Sequence, residues 1–175
     1  YNKPTQGGLY EHYKAIAKAH PGFPLVAYNV PGRTGVDLMP ETLQRLCDVA
    51  EVVAVKEATG LALRALDIYE KCGDRMQLLS GDDFTVQPFM ACGGKGVISV
   101  STNLAPRLMS DLVAAARKGD HVTARKLQLE MQPLDAGGGD LHHAATHRRR
   151  AGEGHHGHQR VPHEGLPRHR SRPGD

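Results

Sequence analysis

The chain has 175 residues, 39% hydrophobic and 5% aromatic, which is enough for one ordinary domain with a real core. Its net charge of +3 excludes little, because residues 1–135 carry 15 Lys and Arg against 15 Asp and Glu and the excess lies wholly in the tail. Cys47, Cys72 and Cys92 stand far apart with no CxxC pair, so neither a disulfide framework nor a zinc knuckle is signalled; with no apolar run of membrane-spanning length, the expected setting is a reducing cytoplasm without a membrane partner.

In chain order, Leu9, Tyr13, Ile16 and Ala17 recur at the spacing of a helix with one buried face, which predicts a helix from Gly8 to His20, ended by Pro21-Gly22. The chain opens on Tyr1-Asn2-Lys3-Pro4 rather than on Met, and is expected to have been cut at the front. Pro24 to Val30 reads as a buried strand, Pro31-Gly32-Arg33-Thr34-Gly35 as a loop, and Pro40 to Val49 as a helix with proline in its first turn. The plan then repeats with a strand from Val52 to Lys56, a turn at Thr59-Gly60 and a helix from Leu61 to Cys72 stopped by Gly73. A third unit has a strand from Met76 to Ser80, the Gly81-Asp82-Asp83 loop and a helix to about Cys92. The fourth has a strand from Gly96 to Val100, a Ser/Thr/Asn loop at Ser99 to Asn103 and a helix from Pro106 to Lys118, with one more helical stretch to about Met131. Strands alternating with helices of this length indicate an α/β fold of βα units around a parallel sheet. Four such units make about half of an eightfold barrel, whose usual size is roughly 250 residues.

Beyond Asp135 the composition turns abruptly to Gly, His and Arg with almost no aliphatic residues, and residues 136–175 are expected to be disordered because they cannot bury enough surface to offset their conformational entropy. Eight of the eleven histidines fall there, with His143 and His147 at i,i+4 and a cluster at His155, His156 and His158. A metal site is the competing reading of that pattern, but the Gly and Pro content argues against the helix such spacing needs. The Arg148-Arg149-Arg150 run has no aromatic neighbours for base stacking, so no specific nucleic-acid partner is expected.

The strand ends carry the chemistry, since a barrel brings them to one rim: Tyr28 and Asn29, Lys56, Gly81, and Ile98 to Ser101. Lys56 ends the run Val52-Val53-Ala54-Val55, where an amine opening into a loop can form a Schiff base with a keto acid. It attacks only when unprotonated, and burial among apolar neighbours lowers a lysine from its usual value of about 10.4. Tyr28 offers a phenol to move protons as the carbinolamine collapses, and Arg33 in the next loop offers a fork for a carboxylate. Each has a plainer alternative: a solvated strand-end lysine, a core phenol, a surface ion pair.

Tyr28-Asn29-Val30-Pro31-Gly32-Arg33-Thr34-Gly35, Val55-Lys56-Glu57-Ala58-Thr59-Gly60, Ser80-Gly81-Asp82-Asp83 and Gly93-Gly94-Lys95-Gly96-Val97-Ile98-Ser99-Val100, in this order, closely resemble the dihydrodipicolinate synthase family over about residues 1–134. The resemblance implies a homo-oligomer, a dimer of dimers, of (β/α)8 TIM barrels that condenses pyruvate with aspartate 4-semialdehyde through a lysine imine, with no metal or other cofactor. It makes this chain the C-terminal half of such a barrel, with residues 1–135 as the partial domain. Under it Lys56 is the Schiff-base lysine, Tyr28 the proton donor and acceptor, Tyr1 the tyrosine that reaches across a dimer interface, Arg33 the carboxylate reader, and Ile98 and Gly81 positions of the pyruvate pocket.

Lysine and tyrosine are shared with sugar-acid lyases such as N-acetylneuraminate lyase, so Arg33 with Gly81-Asp82-Asp83 favours the dipicolinate enzyme. A noncatalytic protein using its His/Arg tail is the alternative from another class. Beyond Leu134 the chain leaves the family pattern, as a reading-frame change near Asp135 would produce.

Overall fold

The computed structural model of the chain describes residues 2–134. Tyr1 and the expectations for residues 136–175, including the histidine clusters and the arginine run, lie outside the described residues.

The chain begins with α1 (Gln6–Ala19), capped by the Thr5 hydroxyl, which accepts from the Gly8 N–H at 3.2 Å. It continues through β1 (Leu25–Asn29), α2 (Pro31–Thr34), α3 (Pro40–Leu46), β2 (Val52–Glu57), α4 (Arg64–Cys72), β3 (Gln77–Ser80), α5 (Val86–Ala91), β4 (Gly96–Val97) and α6 (Pro106–Arg117) to a last helix, α7, at 121–134. The four strands form one sheet in the order β1-β2-β3-β4, every neighbouring pair parallel. Parallel neighbours need crossovers, and the helices between successive strands supply them.

Strand alternation divides the sheet into two faces. Ala27, Val55 and Leu78 form one row across β1, β2 and β3 and are fully buried with Leu38, Leu43 and Leu46 around α3, Ala65, Ile68 and Cys72 of α4, and Phe89 of α5. Leu9, Tyr10 and Tyr13 of α1 pack on the same cluster, while Val86, Met90, Met109, Leu112 and Met131 form a second one that holds α5, α6 and α7 together. The opposite face carries the row Tyr28, Lys56, Leu79 and Gly96 and lies more open to solvent.

Several boundaries differ from the sequence expectation for identifiable reasons. The Pro31–Gly35 segment is a single helical turn rather than a loop: Pro31 presets its start, and Gly35, at φ +70°, closes it with an N–H to the Pro31 carbonyl. Strand β4 stops at Val97, not Val100, because the Asp83 carboxylate takes the Val100 and Ser101 N–H groups at 2.9 Å each and bends the chain into a helical turn. The helix expected from Leu61 begins at Arg64, after a turn in which the Arg64 N–H reaches the Leu61 carbonyl at 2.9 Å. Helix α3 ends at Leu46, where the Cys47 N–H still reaches the Leu43 carbonyl, and Asp48 and Val49 continue it only as tight i to i+3 turns.

Cys72 is buried at the end of α4, and burial pushes its thiol up to about 12, with the neighbouring Cys47 thiol adding to the shift. Thiolate is the reactive form, so at pH 8 iodoacetamide is expected to label the partly exposed Cys92 well before Cys72 in the folded chain, as read by peptide mass spectrometry. Equal labelling rates would contradict this packing.

Candidate active site

Lys56 and Tyr28 are cross-strand partners in the β1–β2 ladder, one position before each strand ends. Both point to the open face, and the Lys56 Nζ stands 4.2 Å from the centroid of the Tyr28 ring. A cation over an aromatic face at so exposed a place contributes about 0.5–1 kcal/mol, enough to bias the amine toward the phenol. Tyr28 is 39% exposed and Lys56 half-buried, so the amine is less enclosed than its apolar run suggests.

Gly81 follows β3 directly and explains how Lys56 fits. A Cβ at this glycine would come within 2.9 Å of the Lys56 Cγ and Cε and 2.8 Å of the Ala58 Cβ, closer than non-bonded carbons approach. The missing side chain is the space that the lysine stem occupies. Its N–H donates to the Glu57 carbonyl at 2.7 Å, and the Ile98 N–H donates to the Ser80 carbonyl at 2.9 Å, so β2, β3 and β4 end together. Ile98 is exposed just beyond β4, and Arg33 is exposed in α2, the turn after β1. The strand ends thus bring together Lys56, Tyr28 and Gly81, with Ile98 and Arg33 following the ends of the two outer strands.

Behind the pair, on the helix-covered face, lies a polar network that sequence reading gave no role. Asn29 and Glu57, the residues after Tyr28 and Lys56, are 1% and 3% exposed. The Asn29 Nδ2 donates to Glu57 Oε2 at 2.9 Å and to Asp37 Oδ1 at 2.8 Å, and its Oδ1 accepts the Leu38 N–H at 2.9 Å. Glu57 Oε1 accepts the Thr59 N–H at 2.8 Å, and Arg64 Nη2 donates to Asp37 Oδ2 at 2.7 Å. The signal for it was present in the alternation: a polar residue next to an open-face residue in a parallel strand must turn toward the covered side. Among the described residues no group of three or more His, Cys, Asp or Glu is arranged to hold a metal ion, and no helix is long and apolar enough to cross a membrane.

A model of the dihydrodipicolinate synthetase family matches residues 1–138. The chain is 53% identical over 134 residues to the 4-hydroxy-tetrahydrodipicolinate synthase of Halorhodospira halophila, a match that covers 77% of this chain and 44% of that protein. To the synthase of an Anaeromyxobacter species it is 55% identical over 136 residues, covering 77% and 46%. Among solved structures, the chloride-inhibited dihydrodipicolinate synthase of Acinetobacter baumannii, complexed with pyruvate, is similar with a TM-score of 0.75 and 45% identity, covering 78% of this chain and 46% of that one. The chain spans about half the length of the curated relatives it matches.

Replacing Gly81 by Ala forces the Lys56 stem aside. A crystal structure of the Gly81→Ala chain is expected to show the Lys56 Cε displaced by about 1 Å, since carbon contacts settle near 3.5–4.0 Å. Chemical denaturation should show a loss of about 1–3 kcal/mol from the overpacking. An unmoved lysine and unchanged stability would contradict the space-making role.

Proposed function

We propose, from the premise that this chain belongs to the dihydrodipicolinate synthetase family, that it carries the imine-forming part of a 4-hydroxy-tetrahydrodipicolinate synthase, a lyase of lysine and diaminopimelate biosynthesis. The observation that supports it best is the Lys56 amine standing against the Tyr28 ring at the mouth of two parallel strands. Its described βα units correspond to about four of the eight in a (β/α)8 barrel, with residues 1–135 as the partial domain.

In the reaction, the neutral Lys56 amine attacks the keto carbon of pyruvate, and the carbinolamine loses water to give an imine. The Tyr28 hydroxyl passes protons at that collapse and again when the methyl carbon gives up a proton to form the enamine. The enamine carbon adds to the aldehyde of aspartate 4-semialdehyde, whose own amine then displaces Lys56 as the ring closes. Arg33 holds the carboxylate of the semialdehyde in two parallel hydrogen bonds, while the strand-end backbone at Gly81 and Ile98 borders the pyruvate. Lysine itself activates the keto acid, so the scheme calls for no metal or other cofactor. The reading includes a homo-oligomer in which Tyr1 of one copy serves the site of a neighbour, and a cytoplasmic setting. Relatives matched over this segment bear the synthase name, which favours this substrate pair over the sugar acids of related lyases.

Incubating the chain with pyruvate and borohydride should leave a stable secondary amine on Lys56, located by peptide mass spectrometry, and Tyr28→Phe should slow its formation by about 10²–10⁴-fold. An adduct on another lysine, or one that forms equally fast without the phenol hydroxyl, would refute the assignment.

A further inference from the structure

We propose that the buried pair Asn29 and Glu57, held by Asp37 and Arg64, is the positioning device that keeps Lys56 over Tyr28; this rests on the reading of Lys56 as the imine-forming amine.

The argument starts from strand geometry. Neighbouring residues of a strand face opposite sides, so Asn29 and Glu57 are rigidly tied, through one peptide each, to Tyr28 and Lys56 in front. Each pair is also in register, Tyr28 with Lys56 and Asn29 with Glu57. The 2.9 Å bond from Asn29 Nδ2 to Glu57 Oε2 is therefore a clasp across the two strands directly behind the reactive pair.

The clasp admits one arrangement. Both amide hydrogens of Asn29 point at carboxyl oxygens and its Oδ1 points at a backbone N–H, so turning the amide over would set oxygen against oxygen and N–H against N–H. Both oxygens of Glu57 are likewise taken, one by Asn29 and one by the Thr59 N–H. Asp37 is fixed in turn by Arg64 at the start of α4, and its backbone carbonyl accepts the Gln6 Nε2 of α1 at 2.7 Å.

A core could fill this place with apolar side chains, as Ala27, Val55 and Leu78 do one layer below. Apolar packing is nondirectional and tolerates small slides of one strand along another, whereas a buried amide and carboxylate with every polar atom partnered, as in Asn29 and Glu57, fix one geometry. The register is what the site requires, since a shift of one residue turns Lys56 to the covered face. The bulge in the same ladder between Leu25 and Val26 shows that β1 and β2 depart from even pairing only at their far end, away from the clasp.

The test uses the whole 175-residue chain with lysine methylenes labelled with carbon-13. In the parent, the Lys56 Cε resonance is expected to be displaced upfield by the Tyr28 ring current, and Lys56→Arg identifies it by its disappearance. Glu57→Gln keeps the volume but sets an amide N–H against one of two donors; Asn29→Ala removes the clasp. Both are expected to abolish the displacement and to slow pyruvate trapping by borohydride about 10- to 100-fold. Leu112→Val, in the second core cluster, serves as a control that loses packing without touching the strand ends, and should keep the displacement and the trapping rate. If the Glu57→Gln chain retains the displacement, or the control loses it equally, the positioning role is overturned, and Glu57→Gln decides should Asn29→Ala fail to fold. A parent chain that traps no pyruvate on Lys56 would instead sink the imine reading, while the resonance still decides whether the clasp positions the amine.

Discussion

The register between β1 and β2 is the constraint on which the rest of the molecule depends. Two parallel strands have no chemistry of their own, but setting Tyr28 directly opposite Lys56 places a phenol and a primary amine on one open face. The amine and the phenol meet through that pairing, and most of the packing that holds it lies on the other side of the sheet. Ala27, Val55 and Leu78 anchor the strands against α3, α4 and α5, so the apolar core determines which face remains open.

Position along the strands is a finer matter than face, and polar groups settle it. The strand ends carry a row of Asn29, Glu57 and Ser80, each almost wholly buried and each hydrogen-bonded. Burying such groups unpaired costs more than a neutral hydrogen bond returns, so the row is tolerable only where every partner is in place. Absence of bulk matters as much as presence of bonds: Gly81 leaves the volume through which the lysine stem passes.

Much of this organisation could be read from the amino acids alone. Apolar runs located all four strands, because parallel strands covered by helices lack a polar alternation to confuse them. Lys56 and Tyr28 were recognisable as strand-end residues, and the structure makes them cross-strand partners. What escaped the reading depends on contacts distant in sequence. Asn29 falls within an expected strand and Glu57 just past one, and only partners 8 and 28 positions away from Asn29 join them into one buried network. The early end of β4 has the same origin, since the carboxylate that bends it belongs to Asp83, 17 positions before Val100. Strand alternation gives the face on which Asn29 and Glu57 lie, but local propensity carries no record of which distant groups meet them.

A crystal structure of the chain after reduction with pyruvate measures the central claim most directly. The account predicts continuous density from Lys56 Nζ into a three-carbon acid, with the Tyr28 hydroxyl about 2.6–3.2 Å from the new amine or from the acid. Density on a different lysine, or a Tyr28 ring turned out of the cavity that holds the adduct, would contradict it.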